Sequence, residues 1–100
     1  MGKLERDFQK NLIEQLTEEL PGSIILKNDS NYKPGIPDIT IMYKGRWALL
    51  EVKKSENEPY QPGQEYYLKQ AAEMSFSATI FPENKEEVLD GLYKALRVRR

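Results

Sequence analysis

The sequence contains no cysteine and no histidine, and these two absences exclude several kinds of chemistry. Without cysteine, the chain forms no disulfide and offers no thiolate nucleophile. Without histidine, it has no Ser-His pair and no imidazole ligand for a metal ion. Any catalysis by this chain is therefore expected to depend on carboxylates, lysine and a metal ion that accepts oxygen ligands.

The chain also lacks a charge excess and a long apolar segment. Its 15 basic and 16 acidic residues give a formal net charge of −1. The chain therefore lacks the overall positive charge that is typical of proteins that coat DNA. No run approaches the roughly 20 apolar residues of a membrane span, and the N-terminus lacks a signal-peptide core. We expect a single cytoplasmic domain of 100 residues, with neither a membrane nor a nucleotide cofactor among its partners.

Hydrophobic periodicity predicts the element order α-β-β-β-α-β-α. A first helix is expected over residues 3–20, ended by Pro21-Gly22. The later elements are a short buried strand at 23–27, strands at 39–43 and 46–50 around a Lys44-Gly45 turn, a helix from Gln61-Pro62 to about 74, a strand at 77–81 and a helix at 84–96. This order predicts the α/β fold class.

Two acidic residues are brought together by the predicted hairpin. If Lys44-Gly45 forms its turn, Asp38 faces Glu51, with their Cβ atoms about 4.5–5.5 Å apart. Lys53 lies on the same face because strand side chains alternate. Adjacent carboxylates are unfavourable unless a cation lies between them, and Mg²⁺ accepts such ligands while keeping positions open for water and phosphate. The alternative is a pair of solvated acids at strand ends.

Chain reversals place two more polar residues near the open end of this hairpin. Glu5 falls in the middle of the apolar face of the first helix, where a carboxylate is costly unless it is hydrogen-bonded or near a cation. The alternative is that the helix frays and Glu5 is a favourable N-terminal charge. Gln64, in the first turn of the next helix, could bind a water or phosphate, or could simply be a polar residue at a helix start.

Three segments resemble the PD-(D/E)xK nuclease superfamily: Gly35-Ile36-Pro37-Asp38, Glu51-Val52-Lys53 and Gln61-Pro62-Gly63-Gln64. Within it, they are most similar to virus-type replication-repair nuclease (VRR-NUC) domains and Holliday junction resolvases, over about residues 5–68. The resemblance implies an α/β fold with a restriction-endonuclease-like α-β-β-β-α-β core, in which a mixed central sheet is flanked by helices, and an added C-terminal helix. It also implies a bacterial or phage-encoded DNA endonuclease that uses Mg²⁺, with Mn²⁺ able to substitute.

The resemblance further implies roles for individual residues. The catalytic set would be Glu5, Asp38, Glu51, Lys53 and Gln64. The metal ion would be held by Asp38, Glu51 and the carbonyl of Val52, with Glu5 beside it, and Lys53 would orient the attacking water or stabilise charge on the phosphate.

Other residues are candidates for contact with DNA. Lys27, Lys33 and Lys54 could bind backbone phosphates, although exposed lysines usually have no specific role. Tyr60, Tyr66 and Tyr67 could stack on bases, but packing is the favoured interpretation. Arg97, Arg99 and Arg100 form a basic tail for which DNA contact and disorder stay open.

The function predicted from the resemblance is cleavage of branched DNA, as by a junction resolvase. Paired cuts by so small a domain require a C2 homodimer. One alternative is a catalytically silent DNA- or protein-binding module with the same fold. Another is a restriction-like nuclease that reads a sequence, for which the chain has little length, and RNA also stays open as a substrate.

Overall fold

The computed structural model describes residues 2–98. Within these residues, four strands form one mixed sheet and three α-helices pack on it. The predicted α/β class is therefore confirmed. The elements are α1 (Lys3–Glu19), β1 (Ile24–Lys27), β2 (Ile39–Tyr43), β3 (Arg46–Val52), α2 (Gln64–Met74), β4 (Phe76–Ile80), a 3₁₀ turn (Pro82–Asn84) and α3 (Lys85–Ala95). None of the helices in this range has the length and apolar character needed to cross a membrane.

The strands lie in the order β1-β2-β3-β4, which is also their order along the chain. β1, β2 and β3 are antiparallel, whereas β4 runs parallel to β3 and is reached through α2. The hairpin register is the predicted one, with Tyr43 opposite Arg46 and Ile39 opposite Leu50. Lys44 and Gly45 both have positive φ angles, 49° and 80°, as a two-residue turn of the I′ type requires.

The core lies between one face of the sheet and helices α1 and α3. Its buried members come from α1, the alternate residues of β2 and β3, the end of β4, and α3. They are Leu12, Leu16, Leu20, Ile39, Ile41, Tyr43, Ala48, Leu50, Val52, Ile80, Leu89, Leu92, Tyr93 and Leu96. Because side chains alternate along strands, Asp38, Glu51 and Lys53 lie on the opposite face of the sheet from this core. Helix α2 packs on that opposite face, against β3 and β4.

Strand β1 is more exposed than the sequence indicated. Ile24 and Leu26 are 55% and 47% exposed, so the expectation of a buried strand is wrong. The physical reason is position: β1 is an edge strand, and α2 lies over the opposite edge of the sheet. An apolar run alone does not distinguish an edge strand from a central one.

Helix α2 begins at Gln64, three residues later than predicted, and Pro62 lies in the turn before it. Gly63 precedes the helix with φ 88°, a conformation that suits glycine. Gly35 has the same φ, and a Cβ added to it would lie 2.8 Å from the Gly63 carbonyl carbon. The two loops therefore pack backbone against backbone, which only glycine at position 35 permits.

Candidate metal and phosphodiester site

The hairpin places Asp38 and Glu51 side by side at the end of β2 and β3. Continuing the register by one residue sets Asp38 opposite Glu51. Asp38 is held in place because its Oδ2 accepts a hydrogen bond of 2.8 Å from the backbone N–H of Val52. Glu51 is only 2% exposed, so its carboxylate is almost removed from water.

Lys53, Gln64 and Glu51 form one hydrogen-bonded network. The Lys53 ammonium donates to Gln64 Oε1 at 2.8 Å and lies 3.6 Å from Glu51 Oε2. Gln64 in turn donates from Nε2 to Glu51 Oε2 at 2.9 Å. The Gln61 N–H also donates to Gln64 Oε1, at 2.7 Å, which fixes the orientation of this amide. Gln64 thus links α2 to β3, rather than being only a polar residue at a helix start.

Lys53 is buried together with its charge partners. It is 3% exposed, and its ammonium also donates to the carbonyl of Pro59 at 3.3 Å. The Tyr60 ring centre lies 5.5 Å from the same ammonium, within range of a cation–π contact. A buried ammonium is held here by oxygen acceptors on several sides, which supports a fixed position for its charge.

Glu5 reaches the same group of charges from α1. Burial raises the pKa of its carboxyl to about 7, and the nearby carboxylates of Glu58 and Asp38 add to that rise while Lys53 opposes it. Glu5 is partly buried and lies inside α1, which begins at Lys3, so the fraying alternative does not describe it.

Glu58 is a member of this cluster that the sequence analysis missed. Its Oε2 lies 3.8 Å from the Lys53 ammonium, and its Oε1 accepts a hydrogen bond of 2.8 Å from the backbone N–H of Lys54. Glu58 belongs to a charged loop, residues 54–58, that has neither helical nor strand periodicity. The sequence therefore does not indicate which acidic residue of the loop lies at the site. Only the path of the loop between β3 and α2 brings it to the site.

The electrostatics of the cluster are dominated by excess negative charge. Among the described residues, the carboxylates of Glu5, Asp38, Glu51 and Glu58 meet one ammonium, that of Lys53. Burial and the adjacent Asp38 raise the pKa of Glu51 to about 8, although Lys53 acts in the opposite direction. Within the described part of the chain, Glu51 Oε1 is buried and receives no hydrogen bond from an N–H or O–H donor, and the Asp38 carboxyl is the group with which Glu51 can share a proton. Two adjacent buried carboxyl groups either keep a proton between them or require a cation, so the arrangement favours a cation that replaces the proton.

The donor chemistry at this position fits a hard divalent ion. Asp38 and Glu51 are the central acidic pair, and both supply oxygen ligands. Within residues 2–98, no group of three or more His, Cys, Asp or Glu side chains is arranged as a metal site. An ion held by Asp38 and Glu51 would therefore complete its coordination with backbone carbonyls and water, which is ordinary for Mg²⁺.

The lysines predicted to contact DNA lie outside the network. Lys27, Lys33 and Lys54 are all exposed. Lys33 lies over the Tyr67 ring, 5.3 Å from its centre, and Lys27 stands on the edge strand opposite Ile39. Among the described residues, none of these three lysines forms an ion pair with the carboxylates.

The tyrosines and the C-terminal arginines have different placements. Tyr66 and Tyr67 pack edge to face with ring centres 5.2 Å apart, and the Tyr60 hydroxyl bonds with Thr79 Oγ1 at 2.6 Å. Arg97 lines a cavity of about 670 Å³ near the Lys44 turn, at the opposite end of β2 from Asp38. Arg99 and Arg100 lie outside the described residues.

A second cavity, of about 410 Å³, adjoins the carboxylates. It is lined by Ser30, Pro34, Gly35, Ile36, Asp38, Gln61, Pro62 and Gln64. Although it is smaller than the cavity near the Lys44 turn, it shares Asp38 and Gln64 with the charged network. It is therefore the cavity that a substrate at this site would enter.

Comparison with protein-family models, curated proteins and solved structures found no match. The functional argument therefore depends on the residues and geometry of this chain.

Proposed function

We propose that this chain is a metal-dependent DNA endonuclease of the PD-(D/E)xK type that hydrolyses phosphodiester bonds in branched DNA. The observation that carries the proposal is Glu51: its carboxyl is buried beside Asp38, no donor of the described residues hydrogen-bonds its Oε1, and Lys53 Nζ lies 3.6 Å from its Oε2. Such a pair of carboxylates with an adjacent ammonium suits the combination of a hard cation and a phosphate.

The finer fold assignment belongs to the same proposal. The order α1-β1-β2-β3-α2-β4, with an antiparallel hairpin and a parallel last strand, agrees with the restriction-endonuclease-like core that the resemblance implies. Helix α3 is then the addition to this core. Fold alone does not specify an activity, so the site residues carry the functional argument.

Each residue of the site would have a separate role in the proposed reaction. Asp38 and Glu51 would hold Mg²⁺ or Mn²⁺, with the Val52 carbonyl as a further ligand and Glu5 nearby. When bound, the ion supplies positive charge for the phosphate oxygens and makes water more acidic. Lys53 presents a fixed ammonium to the attacking water or to charge developing on the phosphate. Gln64 holds the side chains of Lys53 and Glu51 in fixed positions, because it forms a hydrogen bond with each of them.

The direct test is cleavage of matched four-way, flap and linear duplex DNA by the purified protein. With Mg²⁺ or Mn²⁺ we expect cuts near the branch point of the junction, and no cuts in EDTA or with Lys53→Ala. Lys94→Ala is the matched control, because Lys94 is exposed and pairs with Asp90 on the same helix. Absence of metal-dependent cleavage on every substrate would overturn the proposal and favour a catalytically silent binding module.

Paired cuts across a junction require two sites, and strand β1 offers a surface for a second copy. Ile24 and Leu26 are exposed on this edge strand, and Met42 beside them is 37% exposed. Antiparallel pairing of two β1 strands about Ile25 would set Ile24 against Leu26 of the second copy and Lys27 against Ser23. No like charges face each other in this register. The backbone N–H and C=O groups at the free edge of β1 would gain hydrogen-bond partners from the second copy. The two-fold axis would be normal to the sheet, so both sites would open on the same face.

The proposed dimer predicts a specific effect of charge on β1. Leu26→Lys should convert a dimer into a monomer, because two lysines would replace apolar contacts at the two-fold interface. Leu4→Lys is the control, since Leu4 is 75% exposed and belongs to α1 rather than to the edge strand. Sedimentation equilibrium measures the mass directly. A wild-type protein that stays monomeric at high micromolar concentration would contradict this interface.

A further inference from the structure

The cavity of about 410 Å³ beside the carboxylates is lined by two kinds of residue. Pro34, Ile36 and Pro62 are apolar. Asp38 and Gln64 are polar and also belong to the charged network. An occupant of the cavity would therefore lie beside the proposed cleavage centre.

The loops that form this cavity are held together before any ligand arrives. Gly35 and Gly63 pack backbone against backbone, since a Cβ on Gly35 would lie 2.8 Å from the Gly63 carbonyl carbon. Asn28 Nδ2 donates to the Pro37 carbonyl at 2.8 Å, which fixes the end of the first loop. The cavity is thus largely preformed, and binding need not order it first.

The lining selects against a second phosphate and favours a flat, uncharged group. Asp38 lines the cavity, so an anion placed there would lie beside a carboxylate. Proline and isoleucine side chains offer apolar surface to a planar ring, whereas Ser30 and Gln61 offer hydrogen bonds to its edge. The volume lies within the range of small-molecule sites of about 300–1,000 Å³. A nucleobase with its sugar has this combination of properties.

We propose that this cavity receives the base of a single unstacked nucleotide next to the phosphate that is cut. The proposal rests on the proposed nuclease function and adds to it a reason for substrate selectivity. A base inside a continuous duplex is stacked and paired, and extracting it costs free energy. A nucleotide at a branch point, in a flap or in a single strand is already free to turn outward, so such substrates enter the cavity at lower cost.

Binding of the base can be tested without metal or cleavage. We would titrate ¹⁵N-labelled protein with thymidine and with 2′-deoxyadenosine, and use 2-deoxyribose as the sugar-only control. Saturable shifts are expected at the backbone amides of Ser30, Gly35, Ile36, Gln61 and Gly63, with the nucleosides but not with the sugar. Shifts that are absent, scattered over the surface or equal with deoxyribose would overturn the proposal.

Two variants test whether the response belongs to the cavity. Ser30→Trp places a large ring at its lining and should abolish the nucleoside shifts, because the occupant's space is filled. Asn11→Trp is the matched control on the exposed face of α1 and should leave them unchanged. Equal titration curves for the two variants would contradict the assignment.

A cleavage experiment separates failure of this proposal from failure of the nuclease proposal. In a single-stranded or flap substrate that the wild-type protein cuts, an abasic residue beside the cut should slow cleavage about tenfold, in line with the contribution of one stacked base. An abasic residue four nucleotides away should have no effect. Cleavage that is indifferent to both positions would overturn the base cavity while leaving the nuclease function intact.

Discussion

Asp38→Asn is expected to lower the rate of metal-dependent DNA cleavage on the order of 10²–10³-fold, comparable to removal of a single electrostatic group from other active sites. The substitution retains an oxygen that can accept the hydrogen bond from the Val52 N–H. It removes the negative charge with which Asp38 would hold a divalent ion. Loss of activity would therefore reflect the charge rather than a collapse of the β2–β3 hairpin.

The same substitution should not weaken the folded state. The charge of Asp38 contributes to the raised pKa of Glu51 and of Glu5, so its removal relieves repulsion in the metal-free protein. We expect the melting temperature of Asp38→Asn in EDTA to equal or exceed that of the wild type. This combination of lost activity and retained stability distinguishes a functional residue from a structural one.

Asp90→Asn is the matched control for this experiment. Asp90 is exposed on α3 and pairs with Lys94 at 2.9 Å, so its replacement should change cleavage by less than about twofold, as is usual for exposed ion pairs. Initial rates on a flap or four-way junction with Mg²⁺ give the comparison. If Asp38→Asn cleaves as fast as Asp90→Asn, Asp38 is not a metal ligand.

Glu51→Gln is expected to stabilise the metal-free protein by roughly 2–4 kcal/mol at pH 9, although it should abolish cleavage. The Glu51 carboxyl is 2% exposed, and burial with the neighbouring Asp38 raises its pKa to about 8. An amide removes this unfavourable charge and can donate a hydrogen bond to the Asp38 carboxylate. Denaturant unfolding in EDTA measures the free energy of unfolding of both proteins.

The pH dependence follows from the direction of the pKa shift. A carboxyl with a pKa of about 4.5 in the unfolded chain and about 8 in the folded protein retains its proton better when folded. Its contribution to stability is fully present below pH 4.5 and is lost as the pH rises through 8. The raised pKa of Glu5, about 7, acts in the same direction. The advantage of Glu51→Gln over the wild type should therefore grow between about pH 5 and pH 9.

Mg²⁺ provides an independent readout for the same variant. At pH 8, Mg²⁺ should raise the melting temperature of the wild-type protein. In a domain of this size, each kcal/mol of stabilisation by the bound ion corresponds to a rise of about 4–8 °C. Mg²⁺ should have little effect on Glu51→Gln. Glu14→Gln, at an exposed position of α1, is the control and should respond to Mg²⁺ as the wild type does. An unchanged wild-type melting temperature, or a Glu51→Gln variant less stable than the wild type at pH 9, would contradict this account of Glu51.

Short-range features of the chain were predictable because their signals are local. The Lys44-Gly45 turn fixes the hairpin register, and that register alone sets Asp38 opposite Glu51. Strand alternation then places Lys53 on the same side. Helical periodicity likewise directs Glu5 inward from α1, where its pKa is raised by burial and neighbouring carboxylates. Each of these inferences needs only a turn type or a repeat of two or 3.6 residues.

Features that depend on contacts between distant segments could not be predicted in this way. The start of α2 at Gln64 follows from the packing of Gly63 against Gly35, 28 positions earlier in the chain. The exposure of β1 is decided by its edge position, which an apolar run does not encode. Glu58 joins the carboxylates because an irregular loop folds back over Lys53.

The sequence alone therefore determined the α/β class, the hairpin and the acidic pair, because periodicity and turn chemistry act over a few neighbouring residues. Tertiary structure alone decided how the Glu51 carboxyl is buried beside Asp38, how Gln64 bridges Glu51 and Lys53, and where the cavity beside Asp38 lies. These properties arise from the packing of β3, α2 and two loops against one another. Hydrogen bonding and burial at that junction depend on distances that no local pattern specifies.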